Sequence, residues 1–166
     1  MKRIFFAIPA TVLFLYSCQQ KPAVVEVNTE AVKVQVTEAM DKYHSAINAK
    51  DTSQISLFWS EDLLFLGTDP SEFENKESIM NNWGRAFADT SFSMNLTVDK
   101  REVRVAGDGN SAIVVEQFYV ALISRKIPVR FVYHLVKSEG AWQIDFASVA
   151  MIPKNEDLPS LNKALE

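Results

Sequence analysis

The stretch SEDLLFLGTDPSEFENKESIMNNW, residues 60–83, changes character twice. Leu63-Leu64-Phe65-Leu66 is a compact apolar run that stops at Gly67 and Pro70, which predicts a strand. Asn75 then offers a side-chain oxygen to the first turn of a helix that Ile79, Trp83 and Phe87 continue at helical spacing. The turn between them holds Asp69, a residue type that stabilises such turns by bonding its own backbone.

Upstream of this stretch, Val32, Val36, Ala39, Met40, Tyr43 and Ile47 recur with a period near 3.6, so residues 29–50 are expected to form a long helix with one apolar face. Asp51 followed by Gln54 resembles a capping box and predicts a second, short helix reaching about Trp59. Downstream of Asp89 the period becomes two. Phe92, Met94, Leu96 and Val98 alternate with polar residues, and the parity flips before Val103 and Val105. One extra residue within 99–102 would produce that flip, which predicts a bulge in a long bent strand. Residues 107–110 (GDGN) turn the chain, and 112–123, 128–137 and 142–152 read as three further strands, the last two joined at Glu139-Gly140. Three helices followed by an antiparallel meander is an α+β layout with the helices on one sheet face. The strands around Val114 and Val132 are apolar on both faces, so a second subunit packed sheet to sheet is expected to cover the outer one.

The N-terminus carries a separate message. Lys2 and Arg3 precede an apolar core, Ile4 to Leu15, that falls short of the roughly 20 residues a bilayer span needs. A basic start, short apolar core and small residue describe a secretory signal peptide over residues 1–17. Leu15-Tyr16-Ser17-Cys18 resembles the lipobox of bacterial lipoproteins, in which the cysteine is lipidated and becomes the mature N-terminus. Cys18 is the chain's single cysteine, and lipidation gives a role to a thiol that has no internal partner. Residues 18–28 then read as a lipidated tether, 29–152 as one domain and 153–166 as an irregular, polar tail. Gln19 and Gln20 resemble exported outer-membrane lipoproteins, so a periplasm-facing anchor in the outer membrane is expected. The formal net charge of −4, with no basic cluster, argues against nucleic-acid binding, which needs Lys and Arg for phosphates.

The domain itself resembles the SnoaL-like domains of the nuclear transport factor 2-like superfamily. Trp59, Asp62, Gly67, Thr68, Asp69, Pro70, Lys76, Ile79 and Trp83 stand where that signature has them, and residues 140–144 (GAWQI) resemble its final hairpin. The resemblance implies a cone, in which a curved antiparallel sheet wraps the long N-terminal helix and leaves a pocket at the wide end. It also implies a family of ketosteroid isomerase, dehydratases, polyketide cyclases and many proteins without a known reaction, so fold alone does not deliver function. Relatives often place histidines on the last strand. The corresponding positions here are Phe146, Ser148 and Ala150, which weakens a histidine-based reaction at that place.

Candidate chemistry is sparse. His44 and His134 have neither a paired-histidine spacing nor cysteines to form a metal site, and no cofactor motif is present. No nucleophile elbow or phosphate-cradling loop occurs. Glu116 interrupts the apolar run 112–122, with Val114, Phe118 and Val120 on its face. A carboxylate in that setting is a candidate general base or acid; the alternative is a solvent-facing or interface residue with a basic partner. Asp69 is the second catalytic candidate, with turn stabilisation as its alternative. Arg130 and His134 share a strand face; Arg130 is expected either to hold a ligand carboxylate or to pair with Glu116. Tyr119 and Tyr133 are candidate hydroxyl donors to a ligand, with strand packing as the alternative, and Trp59, Trp83 and Trp142 are expected in the core or at the pocket wall, Trp59 being the ligand-binding candidate among them. Binding of a small, partly apolar molecule is the leading expectation. A carboxylate-dependent isomerase, dehydratase or hydrolase, and a dimeric scaffold, are the alternatives.

Overall fold

The computed structural model describes residues 27–120 and 123–166, so the expected signal peptide and lipidated Cys18 lie outside the described residues. The chain runs α1 (Thr29–Asn48), α2 (Thr52–Leu57), β1 (Trp59–Leu66), β2 (Phe73–Glu74), α3 (Lys76–Ala88), β3 (Lys100–Val105), β4 (Ser111–Phe118), β5 (Val129–Ser138), β6 (Ala141–Met151) and α4 (Leu158–Ala164). The architecture is α+β, an open six-stranded sheet with strand order β2-β1-β6-β5-β4-β3.

Capping chemistry starts all three leading helices. Asn28 Oδ1 accepts from Ala31 N, Asp51 Oδ1 from Gln54 N and Asn75 Oδ1 from Ser78 N, each satisfying a donor of a first helical turn. α1 turns Val36, Met40, Tyr43 and Ile47 into the core, four residues at the expected helical spacing. Glu139 and Gly140 both adopt positive φ, 51° and 85°, as the tight β5–β6 hairpin requires.

Three expectations need correction. The sheet is not wholly antiparallel: β1 pairs with β6 in parallel. After β1, α3 and the following loop carry the chain to the far edge, and the meander returns β6 beside β1 in the same direction, a pairing that needs a long crossover. Residues 92–98 form no strand, and the β3–β4 register is continuous from Lys100 to Val105, without a bulge. Their alternating pattern is nonetheless used, since Phe92, Met94 and Leu96 turn inward while Ser93, Asn95 and Thr97 stay exposed. Asn95 at φ 44° breaks extended geometry, and the Asn48 side chain replaces a strand neighbour for Leu96. Leu96 N donates to Asn48 Oδ1 at 2.8 Å, and Asn48 Nδ2 donates to Leu96 O at 3.1 Å. Finally, the tail beyond Pro153 is not irregular throughout: Lys154 is followed by a single 3-10 turn and α4.

Because Asn48 satisfies both backbone groups of a buried residue, Asn48→Ala should destabilise the domain by about 1–3 kcal/mol. Urea unfolding measures this; a midpoint unchanged from wild type would show that water replaces both bonds without loss.

Candidate functional site

β4 turns Val114, Glu116 and Phe118 toward α1, and Glu116 is fully buried, at 0% exposure. The strand registers set its neighbours. Arg101 of β3 lies directly across from it on one side and Phe131 of β5 on the other. Arg101 Nε donates to Glu116 Oε1 at 2.6 Å, and Arg101 Nη1 donates to Asp41 Oδ1 of α1 at 2.7 Å. Burial works to lower the Arg101 guanidinium, but the Asp41 and Glu116 carboxylates more than offset it and hold it above its ordinary value. His44 Nε2 of α1 lies 2.9 Å from Glu116 Oε2. Neither atom has a hydrogen-bond partner of acceptable geometry among the described residues.

An aromatic wall bounds this cluster. Phe118 meets His44 edge-on at 6.0 Å and stacks on Phe131 at 5.2 Å, and Phe131 stacks on Tyr133 at 5.3 Å. Tyr133 in turn meets Tyr43 edge to face at 6.2 Å. Burial pushes both phenols well above their ordinary range; the hydrogen bond from Trp59 Nε1 to Tyr43 Oη, 3.1 Å, works the other way for Tyr43.

Beyond Phe131 lies a cavity of about 300 Å³. Phe65 and Phe131 line it from the sheet, Trp83 and Phe87 from α3, and Phe92 and Met94 from the segment after α3. Its polar wall holds Thr68, Glu72, Glu74 and Asn82. Glu74 Oε1 accepts from Asn82 Nδ2 and from Ser78 Oγ, the latter at 3.2 Å. Glu72 folds back over Gly67, where an added Cβ would lie 1.9 Å from Glu72 Oε2. That oxygen accepts from Asp69 N at 2.9 Å, so the glycine is what lets this carboxylate lie against the turn.

The residues singled out in the sequence are therefore dispersed. Glu116 is buried beside a basic partner, but that partner is Arg101, because cross-strand register places it on the same face. Arg130 is exposed on the opposite face, where Nη2 donates to Gln117 Oε1 at 3.4 Å. His134 shares that outward face, with Nδ1 2.7 Å from Asp145 Oδ1. Tyr119 is half exposed, and Trp59 is a core residue that meets Trp83 edge-on at 5.5 Å. Asp69 accepts from Ser71 Oγ and Ser71 N, at 2.5 and 2.8 Å, which hold its carboxyl below the usual range and tie it into its own turn. Among the described residues no group of three or more His, Cys, Asp or Glu side chains is placed to hold a metal. Arg101 was recoverable from its shared parity with Val103 and Val105. Glu72 and Glu74 carry no comparable sequence signal.

A curved sheet closed on one face by a long helix and opening into an aromatic cavity is the nuclear transport factor 2-like fold. The chain belongs to the SnoaL-like domain family, whose model matches residues 36–151. Solved structures agree on the fold. A nuclear transport factor 2-like protein of unknown function from Pseudomonas putida aligns with TM-score 0.63 and 14% identity, covering 76% of this chain and 91% of its own. A cystatin-like fold protein from Burkholderia xenovorans gives 0.63 at 19% identity, with 78% and 98% covered. A Streptomyces avermitilis protein provisionally named a dehydratase gives 0.63 at 12% identity, with 76% and 99% covered. No curated protein matches the chain.

Replacing Arg101 with Met should cost about 3–5 kcal/mol, because it strands a fully buried carboxylate. The double variant Arg101→Met with Glu116→Leu should recover most of that loss in urea unfolding. A double-variant loss equal to the sum of the Arg101→Met and Glu116→Leu losses would mean the pair is not coupled.

Proposed function

We propose that this chain is a lipoprotein of the bacterial envelope whose SnoaL-like domain binds a small, partly apolar molecule. The cavity of about 300 Å³ carries this reading, since its aromatic walls with a few polar groups on one side are the composition of a ligand site. Glu72, Glu74 and Asn82 are the polar fixtures, in place of Glu116 and Arg130. The binding reading is favoured over an isomerase, dehydratase or hydrolase because the catalytic candidates do not reach the cavity. Glu116 stands behind Phe131 with its Oε1 taken by Arg101, and Asp69 is engaged by Ser71.

Anchoring rests on Leu15-Tyr16-Ser17-Cys18 and on the signal-like segment before it. Several acyl chains on Cys18, each buried CH₂ contributing about 0.8 kcal/mol, would hold the domain at a membrane. Gln19 and Gln20 support the periplasmic face of the outer membrane. The outward sheet face carries Val115, Val132 and an exposed Ile113, which supports a homodimer formed sheet to sheet.

Native mass spectrometry of the purified protein should show a defined additional mass, and Ala86→Trp, which fills the cavity from α3, should lose it while staying folded. An added mass retained by the filled variant would place the ligand elsewhere. In cells, Cys18→Ala should abolish radiolabelled palmitate incorporation and release the protein from the membrane fraction; unchanged incorporation would sink the anchoring proposal.

A further inference from the structure

The cavity's lining has a charge character that its apolar majority conceals. Among the described residues its charged lining residues are Glu72 and Glu74, both acidic, with no Lys, Arg or His beside them in the lining. Each carboxylate has one oxygen occupied: Glu72 Oε2 by Asp69 N, and Glu74 Oε1 by Asn82 Nδ2 and Ser78 Oγ. Among the described residues the second oxygen of each takes no hydrogen bond, and neither carboxylate forms an ion pair. Arg85 donates to Asn82 Oδ1 and forms no ion pair with Glu74.

The rings supply the complementary half. Trp83 meets Phe87 at 5.5 Å, Phe87 meets Phe92 at 5.7 Å, and Phe65 meets Phe131 at 6.5 Å, giving the cavity one aromatic series from α3 and its following loop and another from the sheet. Ring faces carry negative potential and attract cations, Trp most strongly, and the attraction grows when the cation is desolvated. An anionic ligand would meet two carboxylates and no basic lining residue among those described. A neutral apolar ligand would leave their free oxygens without use. An organic cation satisfies both halves: its substituents lie against the rings and its charge against the acids. The chain's net charge of −4 adds a long-range field of the same sign.

We propose that the cavity selects an organic ammonium ion, a tertiary or quaternary amine with an apolar body, through Glu72, Glu74 and the Trp83–Phe87–Phe92 aromatic series. This rests on the cavity being a ligand site and adds the class of ligand. The test compares two probes of one shape that differ in charge, 3-hydroxyphenyltrimethylammonium and 3-tert-butylphenol, titrated calorimetrically into the full chain. The ammonium should bind about tenfold or more tighter than its carbon analogue. Glu74→Gln and Glu72→Gln should each weaken the ammonium several-fold more than they weaken the phenol. Equal or tighter binding of the phenol overturns the cation proposal while leaving the cavity a ligand site. Binding of neither probe overturns the cation proposal and counts against the ligand site as well. A preference for the ammonium that survives both Gln variants removes the assigned role of the carboxylates and overturns the proposal as stated.

Discussion

A single buried carboxylate constrains much of this domain. Glu116 lies among Val114, Phe118 and Phe131, where an unpaired charge would be strongly unfavourable, so something basic must be brought to it. Arg101 answers that need from the neighbouring strand, and Asp41 then compensates Arg101 from α1. Two strands and the long helix are thus held in one chain of charge-assisted bonds. Apolar packing of Met40, Tyr43 and Ile47 attracts α1 to the sheet but tolerates sliding. The directional bonds of Asp41 favour one rotation and one height.

The aromatic wall separates this ionic end from the cavity. Phe118, Phe131 and Tyr133 stack side by side, and Phe131 alone of these three lines the cavity. The two regions are built from different material. Regular strands and α1 surround the ions, where a fixed geometry is needed to keep charges paired. The cavity is closed by α3 and by residues 92–98, which have left the sheet and are therefore free to aim Phe92 and Met94 inward. Irregular segments carried on a rigid scaffold are where binding surfaces are commonly varied, and this division leaves the ionic scaffold independent of what the cavity accepts.

Much of the scaffold was legible in the chain because its signals are local. Asn75 and Asp51 announce helix starts through side chains that reach only three residues, and Glu139-Gly140 announces a hairpin through its own backbone preferences. Residues 92–98 misled because alternation reports which side chains are buried, not which backbone groups pair. The two usually coincide, but here Asn48 supplied the bonds of Leu96 from a helix. The partner of Glu116 was harder for a different reason. Arg130 and Arg101 both lie on strands flanking β4, and although the parity of Val103 and Val105 points Arg101 inward, the apolar Val132 and Val136 gave Arg130 the same apparent claim until the register placed it outward. Glu72 and Glu74 are ordinary acidic residues in a turn-rich stretch, and their convergence on the cavity depends on a glycine that gives Glu72 room to fold back.

Family membership fixes where a pocket forms more firmly than what the pocket does. The solved relatives described above share the fold at 12–19% identity, a level at which backbone paths persist while lining residues turn over. The last strand illustrates the point. Phe146, Ser148 and Ala150 lie across from His134, Val132 and Arg130 on the outward face, so histidines at those three positions would face away from the cavity. Any polar chemistry in the cavity must instead come from the β1–α3 side, from Thr68, Glu72, Glu74 and Asn82. These residues are two carboxylates, an amide and a hydroxyl facing aromatic rings. Such a set can hold and orient a ligand by charge. Glu116, the one fully buried carboxylate among the described residues, works elsewhere, in the Arg101–Asp41 chain that holds the helix on the sheet.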